Sequence, residues 1–202
     1  MDEPRGAEST TESAEYAQRL TQLESVWWKR WLDVQRPYRW NLRRMRPGYT
    51  LDVGCGIGRN LSHIDGQGVG VDHNMTAVAT CRSKGFVAFT PDDFLQSEYN
   101  RPARFDSLLC SHVVEHMTID EATTMLRDYL PTVRPGGKVI LITPQERGFR
   151  SDHTHVAFAD FSYLDELIEK LGLVRRSRRS FPFPRVAGKV FTYNEFVVVA
   201  TT

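Results

Sequence analysis

The chain has 202 residues, of which 41% are hydrophobic and 25% are charged, and its formal net charge is +1 at pH 7. This composition is typical of one globular domain with a hydrophobic core, and the near-neutral balance argues against a nucleic-acid partner, which usually requires a basic excess. The three cysteines, Cys55, Cys81 and Cys110, have neither zinc-site spacing nor the number of a disulfide framework. We therefore expect reduced thiols and a cytoplasmic location.

We expect no targeting signal in the first residues of the sequence. Residues 1–15 are acidic, rich in Ser and Thr and without an apolar run, which predicts a disordered segment and neither a signal peptide nor a membrane anchor. Elsewhere the apolar runs are far shorter than the roughly 20 residues that span a bilayer. We therefore expect no membrane partner.

The segment 16–46 has the periodicity of an amphipathic helix. Apolar residues recur in steps of three and four, at Leu20, Leu23, Trp27, Trp31 and Val34. The pattern predicts an N-terminal helical cap over the rest of the domain, with Pro37 ending or kinking the helix.

Short apolar runs alternate with helical stretches after residue 48. This alternation predicts βαβ units and a parallel sheet covered by helices on both faces. The predicted strands cover 49–54, 68–72, 86–93, 104–114 and 136–144, and the predicted helices between them cover 60–64, 75–83 and 119–130.

The C-terminal part predicts a different arrangement. A helix over 161–171 stops at Gly172, and the β-rich runs 173–181 and 191–200 follow. Their connection is too short for a crossover helix, so the two strands are predicted to be antiparallel. The fold class is therefore α/β, with a single domain over 16–202.

The run LDVGCGIGRN at 51–60 contains the clearest candidate binding loop. Glycines at Gly54, Gly56 and Gly58 between a strand and a helix allow a tight turn and close approach to a ligand. A dinucleotide-binding loop would need glycine where Arg59 stands. The preceding acid, Asp52, would repel a pyrophosphate but suits a ligand that carries an ammonium group.

Two further acidic positions follow later strands. Asp72 ends the second predicted strand, where a carboxylate can accept hydrogen bonds from both hydroxyls of a ribose. In PDDF at 91–94, Asp93 could accept from an adenine amino group and Phe94 could pack on the ring.

These runs, together with FDSLLCSHVVEHM and RPGGKVILITP, resemble the class I S-adenosylmethionine-dependent methyltransferases over about residues 48–145, the predicted cofactor-binding core. The resemblance implies a Rossmann-like, seven-stranded, mostly parallel sheet with an antiparallel last strand. It also implies S-adenosylmethionine as cofactor. The residues predicted to hold it are Asp52, Gly54, Cys55, Gly56, Gly58, Asp72, His73, Asp93, Phe94, Ser111 and His112.

Two histidine-rich clusters follow the fourth and fifth strands and should meet at one edge of the sheet. CSHVVEHM supplies His112, Glu115 and His116, which share one face if a helix begins at Val113. SDHTHVAF supplies Asp152, His153 and His155.

These clusters leave three interpretations open. In the first, His153, His155 or His116 is a general base. In the second, Glu115, His116 and a histidine such as His153 bind Mg²⁺ and gather a diol. This arrangement resembles small-RNA and quinone-precursor O-methyltransferases with an ExxEH motif, although His112 replaces the first Glu. In the third, the Glu-His pair only begins a helix.

We expect an O-methyltransferase that acts on the hydroxyl of a small molecule, with a sugar as the leading candidate. A faint resemblance to actinobacterial sugar methyltransferases makes mannose-type glycans a candidate. The alternatives are a quinone-like or phenolic acceptor and a non-catalytic cofactor-binding partner protein. The chain is expected to be a monomer or a homodimer.

Overall fold

A computed structural model describes residues 34–202 of the chain. The predicted disordered segment 1–15 and most of the predicted helical cap, including Trp27 and Trp31, lie outside the described residues.

The described chain forms one seven-stranded sheet with the order β3-β2-β1-β4-β5-β7-β6. Strands β1 to β5 are parallel, whereas β7 lies between β5 and β6 and is antiparallel to both. The predicted mostly parallel sheet with an antiparallel last strand is confirmed. The strands are β1 (Thr50–Val53), β2 (Gly68–Val71), β3 (Ala88–Phe89), β4 (Phe105–Ser111), β5 (Val133–Pro144), β6 (Val174–Phe181) and β7 (Glu195–Thr201).

Helices cover both faces of the sheet. They are α1 (Arg36–Arg44), α2 (Arg59–His63), α3 (Met75–Ser83), α4 (Pro91–Leu95), α5 (Ile119–Tyr129), α6 (Glu146–Phe149) and α7 (Phe161–Lys170), with 3₁₀ turns at Val114–His116, Leu130–Thr132 and Arg185–Lys189. Within residues 34–202, no helix is long and apolar enough to cross a bilayer.

Pro37 lies at the start of a described helix. It occupies the first turn of α1, where its fixed φ suits a helix and its missing N–H has no helical partner to lose. The earlier part of the helix that Pro37 was predicted to end or kink lies outside the described residues, so that prediction stays a prediction.

The third predicted strand is much shorter than expected. The Thr90 side chain accepts a hydrogen bond from the Asp93 N–H, and Pro91 occupies the first turn of α4. A side-chain cap followed by proline starts a helix, so β3 ends at Phe89 instead of continuing to residue 93.

The core consists of two layers, one on each face of the sheet. Along β4, Leu108 and Cys110 pack on one face while Leu109 packs on the other. This alternation follows from the two-residue period of a strand, and burial on both faces explains why β1 and β2 are buried throughout.

The central strands should dominate stability. Leu108→Ala removes a side chain with no exposed surface, so we expect a loss of about 2–5 kcal/mol in the free energy of unfolding. The control Leu95→Ala changes a side chain that is 56% exposed, and we expect a change below about 0.5 kcal/mol. Urea denaturation measures both. Similar losses in the two variants would contradict the described core.

Candidate active site

A cavity of about 870 Å³ lies beyond the carboxyl ends of β1, β2 and β4, beside α1. Parallel α/β sheets place ligand sites at this edge, and the volume falls in the range of about 300–1,000 Å³ typical of ligand pockets. The wall includes several residues predicted to hold the cofactor: Gly54, Cys55, Gly56, Asp72, His73, Ser111 and His112.

The glycine loop needs glycine for steric as well as conformational reasons. Gly54 and Gly58 have φ values of +78° and +83°, which favour glycine. A Cβ atom at Gly54 would collide with the Val113 side chain, and one at Gly58 would lie 2.8 Å from Cys81 Sγ. Gly58 itself does not line the cavity.

Asp72 joins the loop to the end of β2. Its Oδ2 accepts a hydrogen bond from the Gly56 N–H at 2.7 Å, and its Oδ1 accepts from the Asn74 N–H at 2.9 Å. A carboxylate oxygen can accept more than one hydrogen bond, so both oxygens keep capacity for ligand hydroxyls. The predicted position of Asp72 at a ribose site is compatible with this arrangement.

Asp52 lies behind the glycine loop and outside the cavity wall. It is fully buried, Asn60 Nδ2 donates to its Oδ1 at 3.3 Å, and its Oδ2 has no hydrogen-bond partner among residues 34–202. Burial raises the pKa of Asp52 to about 7, because the Asn60 hydrogen bond compensates only partly and Asp72 adds repulsion. Asp52 can act on a cavity ligand only through Asn60, which does line the wall.

The residues predicted for adenine lie elsewhere. Asp93 is exposed on α4, and Phe94 is fully buried in the core, where it packs edge-to-face against Phe89 and Tyr129. Neither residue lines the cavity, because the helix that begins at Pro91 turns Phe94 inward, so their predicted contact with adenine stays a prediction. Near this helix the wall is formed by Pro91 and Tyr129.

His112 lies between two carboxylates. Its Nε2 lies 2.9 Å from Glu195 Oε1, and its Nδ1 lies 3.4 Å from Glu115 Oε1. Burial alone would lower the pKa of His112, but Glu115 and Glu195 outweigh it and raise the pKa to about 10. His112 has a φ of +59°, so the backbone leaves the strand here and the predicted regular helix is replaced by a 3₁₀ turn.

Glu195 is a cavity residue that the sequence did not reveal. It begins β7, and its backbone carbonyl accepts from Gln145 Nε2 at 2.9 Å. Gln145 also accepts a hydrogen bond from Asn194 Nδ2, so this buried amide network positions the start of β7. No motif marks Glu195, because only the insertion of β7 beside β5 brings it to His112.

Glu115, His116 and His155 form a compact cluster beside the cavity. One ligand atom from each lies within 4.8 Å of the others, and His116 reaches the cavity wall. The rings of His116 and His155 meet edge-to-face, with centroids 4.7 Å apart. Burial lowers the pKa of His116. The sequence therefore predicted correctly that the two histidine-rich segments meet.

His153 lies outside this cluster and outside the cavity wall. The Asp152 side chain accepts hydrogen bonds from the N–H and hydroxyl of Thr154, which forms a tight turn. The turn leaves His153 exposed and carries His155 inward onto Phe149. His155, and not His153, therefore lies beside Glu115 and His116.

The sequence resembles known proteins in its central part. Residues 51–141 match the family model described as a methyltransferase domain. No curated protein matches the sequence significantly.

Solved structures with the same fold cover most of the chain. A putative methyltransferase in complex with a Haloferax volcanii methyltransferase activator is 15% identical, with a TM-score of 0.69 over 96% of this chain and 97% of that chain. Magnesium protoporphyrin IX methyltransferase from Synechocystis PCC 6803 with bound SAH is 14% identical, with a TM-score of 0.64 over 95% of both chains. A SAM-dependent methyltransferase from Archaeoglobus fulgidus is 19% identical, with a TM-score of 0.61 over 85% of this chain and 99% of that chain.

The Asp72 carboxylate should contribute strongly to cofactor affinity. Asp72→Ala removes charge-assisted hydrogen bonds worth about 1.5–3 kcal/mol each, so we expect roughly 10–100-fold weaker binding of S-adenosylhomocysteine by calorimetry. The control Asp92→Ala alters an exposed acid outside the cavity wall and should leave the affinity unchanged. Equal affinities in the two variants would exclude Asp72 from the cofactor site.

The buried Asp52 should make stability depend on pH. Its pKa is about 7 in the folded chain and about 3.9 in an unfolded one, so its protonation favours folding below pH 4 and the benefit disappears as the pH rises through 7. Relative to Asp52→Asn, the wild type should lose up to about 1.4 kcal/mol per pH unit between these values. Denaturant unfolding of both proteins from pH 4 to 8 measures this. Parallel pH curves would contradict the raised pKa.

Proposed function

The chain is a class I S-adenosylmethionine-dependent methyltransferase, and from this premise we propose that it is an O-methyltransferase for a small-molecule hydroxyl, that of a sugar or oligosaccharide. The observation that carries the proposal is the position of His116, which lines the same cavity as the glycine loop and Asp72.

The charge of the cavity wall fits the cofactor. S-Adenosylmethionine carries a sulfonium, an ammonium and a carboxylate, so its net charge is positive. The wall contains more acidic than basic side chains. Its acids are Asp72, Asp120, Glu121, Asp128 and Glu195, against Arg59 and the His112 cation. Opposite charges at short range stabilise such a ligand.

The same wall favours a neutral acceptor. An acidic surface repels phosphates and carboxylates, whereas carboxylate and amide side chains accept hydrogen bonds from the hydroxyls of a polyol. Polar side chains of this kind, Gln35, Asn41 and Thr124, also line the cavity. These features support a sugar acceptor, including the mannose-type glycans suggested by the sequence.

The reaction requires an electrophile and an activated hydroxyl. When bound, the cofactor supplies a methyl carbon attached to a positively charged sulfur, and the protein has to orient the acceptor oxygen in line with that bond. His112 cannot remove the hydroxyl proton because it is already protonated. Among residues 34–202, His116 is hydrogen-bonded through Nδ1 and not through Nε2, so Nε2 can accept the proton or hold a cation that acidifies the hydroxyl.

The sequence also predicts two alternative functions, which experiments can distinguish from methylation of a sugar. A quinone-like or phenolic acceptor would also fit a cavity whose wall includes Tyr38, Met117 and Tyr129. A non-catalytic cofactor-binding protein would bind S-adenosylmethionine without transferring its methyl group.

Methyl transfer to a panel of neutral sugars, glycosides, sugar phosphates and phenols tests the proposal. We expect methylated product with neutral sugars and little or none with the phosphates, by mass spectrometry and S-adenosylhomocysteine release. Product with phenols alone would support the phenolic alternative. Cofactor binding with no product from any acceptor would contradict an O-methyltransferase of small molecules.

The histidines provide a matched internal comparison. His116→Ala and His155→Ala should lower kcat by roughly 10²–10⁴-fold while cofactor affinity changes little, because the cluster acts on the acceptor. His153→Ala, two residues from His155 but exposed, should retain wild-type kcat. Equal effects of His153→Ala and His155→Ala would contradict the role of the cluster.

A further inference from the structure

We propose that Glu115, His116 and His155 form a binding site for a divalent first-row transition-metal ion on the wall of the cofactor cavity. The site itself is inferred from the geometry of the cluster. Only its role in activating the acceptor hydroxyl rests on the proposed function.

Glu115 is a buried carboxylate with capacity for a further ligand. The residue has no exposed surface, and neither carboxylate oxygen has a hydrogen-bond partner among the described residues. His112 Nδ1 lies 3.4 Å from Oε1, which is an ion-pair contact outside hydrogen-bond geometry. A buried carboxylate costs several kcal/mol unless it is paired, hydrogen-bonded or bound to a metal.

Both histidines are oriented to offer the same kind of ligand atom. His155 Nδ1 lies 2.7 Å from the Phe149 carbonyl oxygen, which only accepts, so this nitrogen carries the hydrogen. His116 Nδ1 lies 3.2 Å from the Thr154 carbonyl oxygen and 3.0 Å from its hydroxyl oxygen. The Thr154 hydroxyl already donates to Asp152, so His116 Nδ1 is also the donor.

The neutral forms of both rings therefore leave the Nε2 lone pairs available. A histidine that ligates a metal usually donates its other ring N–H to a carbonyl or carboxylate, as both histidines do here. Asp152 supports the site indirectly, because it accepts a hydrogen bond from the Thr154 hydroxyl that contacts His116.

The spacing of the three ligand atoms is close to that of a metal site. They lie within 4.8 Å of one another, whereas tetrahedral ligands with bonds of about 2.1 Å stand roughly 3.4 Å apart. Binding of an ion would therefore require side-chain rotations that bring the ligand atoms closer together. Three protein ligands leave coordination positions open, and His116 connects the site to the cavity.

The local charges also favour a cation. Three acidic side chains lie at or beside the cluster: Glu115 belongs to it, Asp152 holds the Thr154 hydroxyl that contacts His116, and Glu195 lies 2.9 Å from His112. The surplus of negative charge at the cluster matches a divalent ion.

The donor set argues against the Mg²⁺ expected from the sequence. Mg²⁺ prefers six oxygen ligands, whereas two imidazoles and one carboxylate suit Zn²⁺, Fe²⁺, Co²⁺ or Mn²⁺. The substitution of His112 for the first Glu of the ExxEH pattern removes one oxygen ligand and is consistent with this choice.

A bound cation would lower the pKa of an acceptor hydroxyl that coordinates it. In the transfer, the hydroxyl proton is released to solvent, the new O–C bond forms, and the C–S bond breaks with its electron pair remaining on sulfur. The atoms and charges balance without an oxidant or reductant.

Direct metal binding tests the site independently of activity. The untagged full chain, stripped with a chelator and dialysed, is titrated with Zn²⁺ by calorimetry and with Co²⁺ by visible absorption. We expect one ion per chain and no heat with Mg²⁺ at the same concentrations. Absence of Zn²⁺ and Co²⁺ binding by the folded wild type would overturn the proposal.

Single variants assign the ligands. His155→Ala and Glu115→Gln should each weaken Zn²⁺ binding at least about 100-fold, since each removes a ligand, and His153→Ala should bind as the wild type does. Thermal melts followed by circular dichroism verify that each variant is folded. If His155→Ala does not fold, Glu115→Gln still tests the site, because it preserves the side-chain volume. Unchanged binding in both variants would also overturn the proposal.

The same experiments separate the two proposals. Metal binding without methyl transfer to any hydroxyl would contradict the proposed function and leave the metal site intact. Methyl transfer by a stripped enzyme that binds neither Zn²⁺ nor Co²⁺ would support the proposed function with His116 as base and overturn the metal site.

Discussion

The parallel arrangement of β1, β2 and β4 is the constraint on which the candidate site depends. Parallel strands place their carboxyl ends at one edge, so the glycine loop after β1, Asp72 after β2 and His112 after β4 meet there although they are far apart in sequence. Burial on both faces makes this frame rigid and leaves the variable chemistry to the connecting loops.

Buried carboxylates are the second recurring feature of this edge. Asp52 and Glu115 have no exposed surface and lack a full set of hydrogen-bond partners within residues 34–202, which is costly for stability. They have different neighbours. Asp52 lies behind the loop with one amide partner, whereas Glu115 lies beside two histidines whose Nε2 atoms are unengaged. The first arrangement favours a proton on the carboxylate, and the second favours a cation beside it.

His112 connects the chain that follows β4 to the start of β7 at the cavity. It lies between Glu115, three residues away, and Glu195, which enters from the antiparallel strand β7. The left-handed backbone at His112 turns the chain out of β4, so that Glu115 points into the protein while His116 reaches the cavity. The two acids on either side of the ring raise the pKa of His112 and outweigh the opposite effect of burial.

The sequence by itself determined the alternation of strands and helices, the glycine loop, the acid at Asp72 and the meeting of two histidine-rich segments, because these follow from local periodicity and from strand order. It also contained the motifs that resemble those of the methyltransferases.

Only the tertiary structure decided that Phe94 belongs to the core, that His155 and not His153 lies beside Glu115 and His116, and that Glu195 faces His112. Each of these depends on a local cap, a turn or a long-range strand insertion that sets side-chain direction. Such directions depend on hydrogen bonds between distant residues, which sequence spacing does not encode.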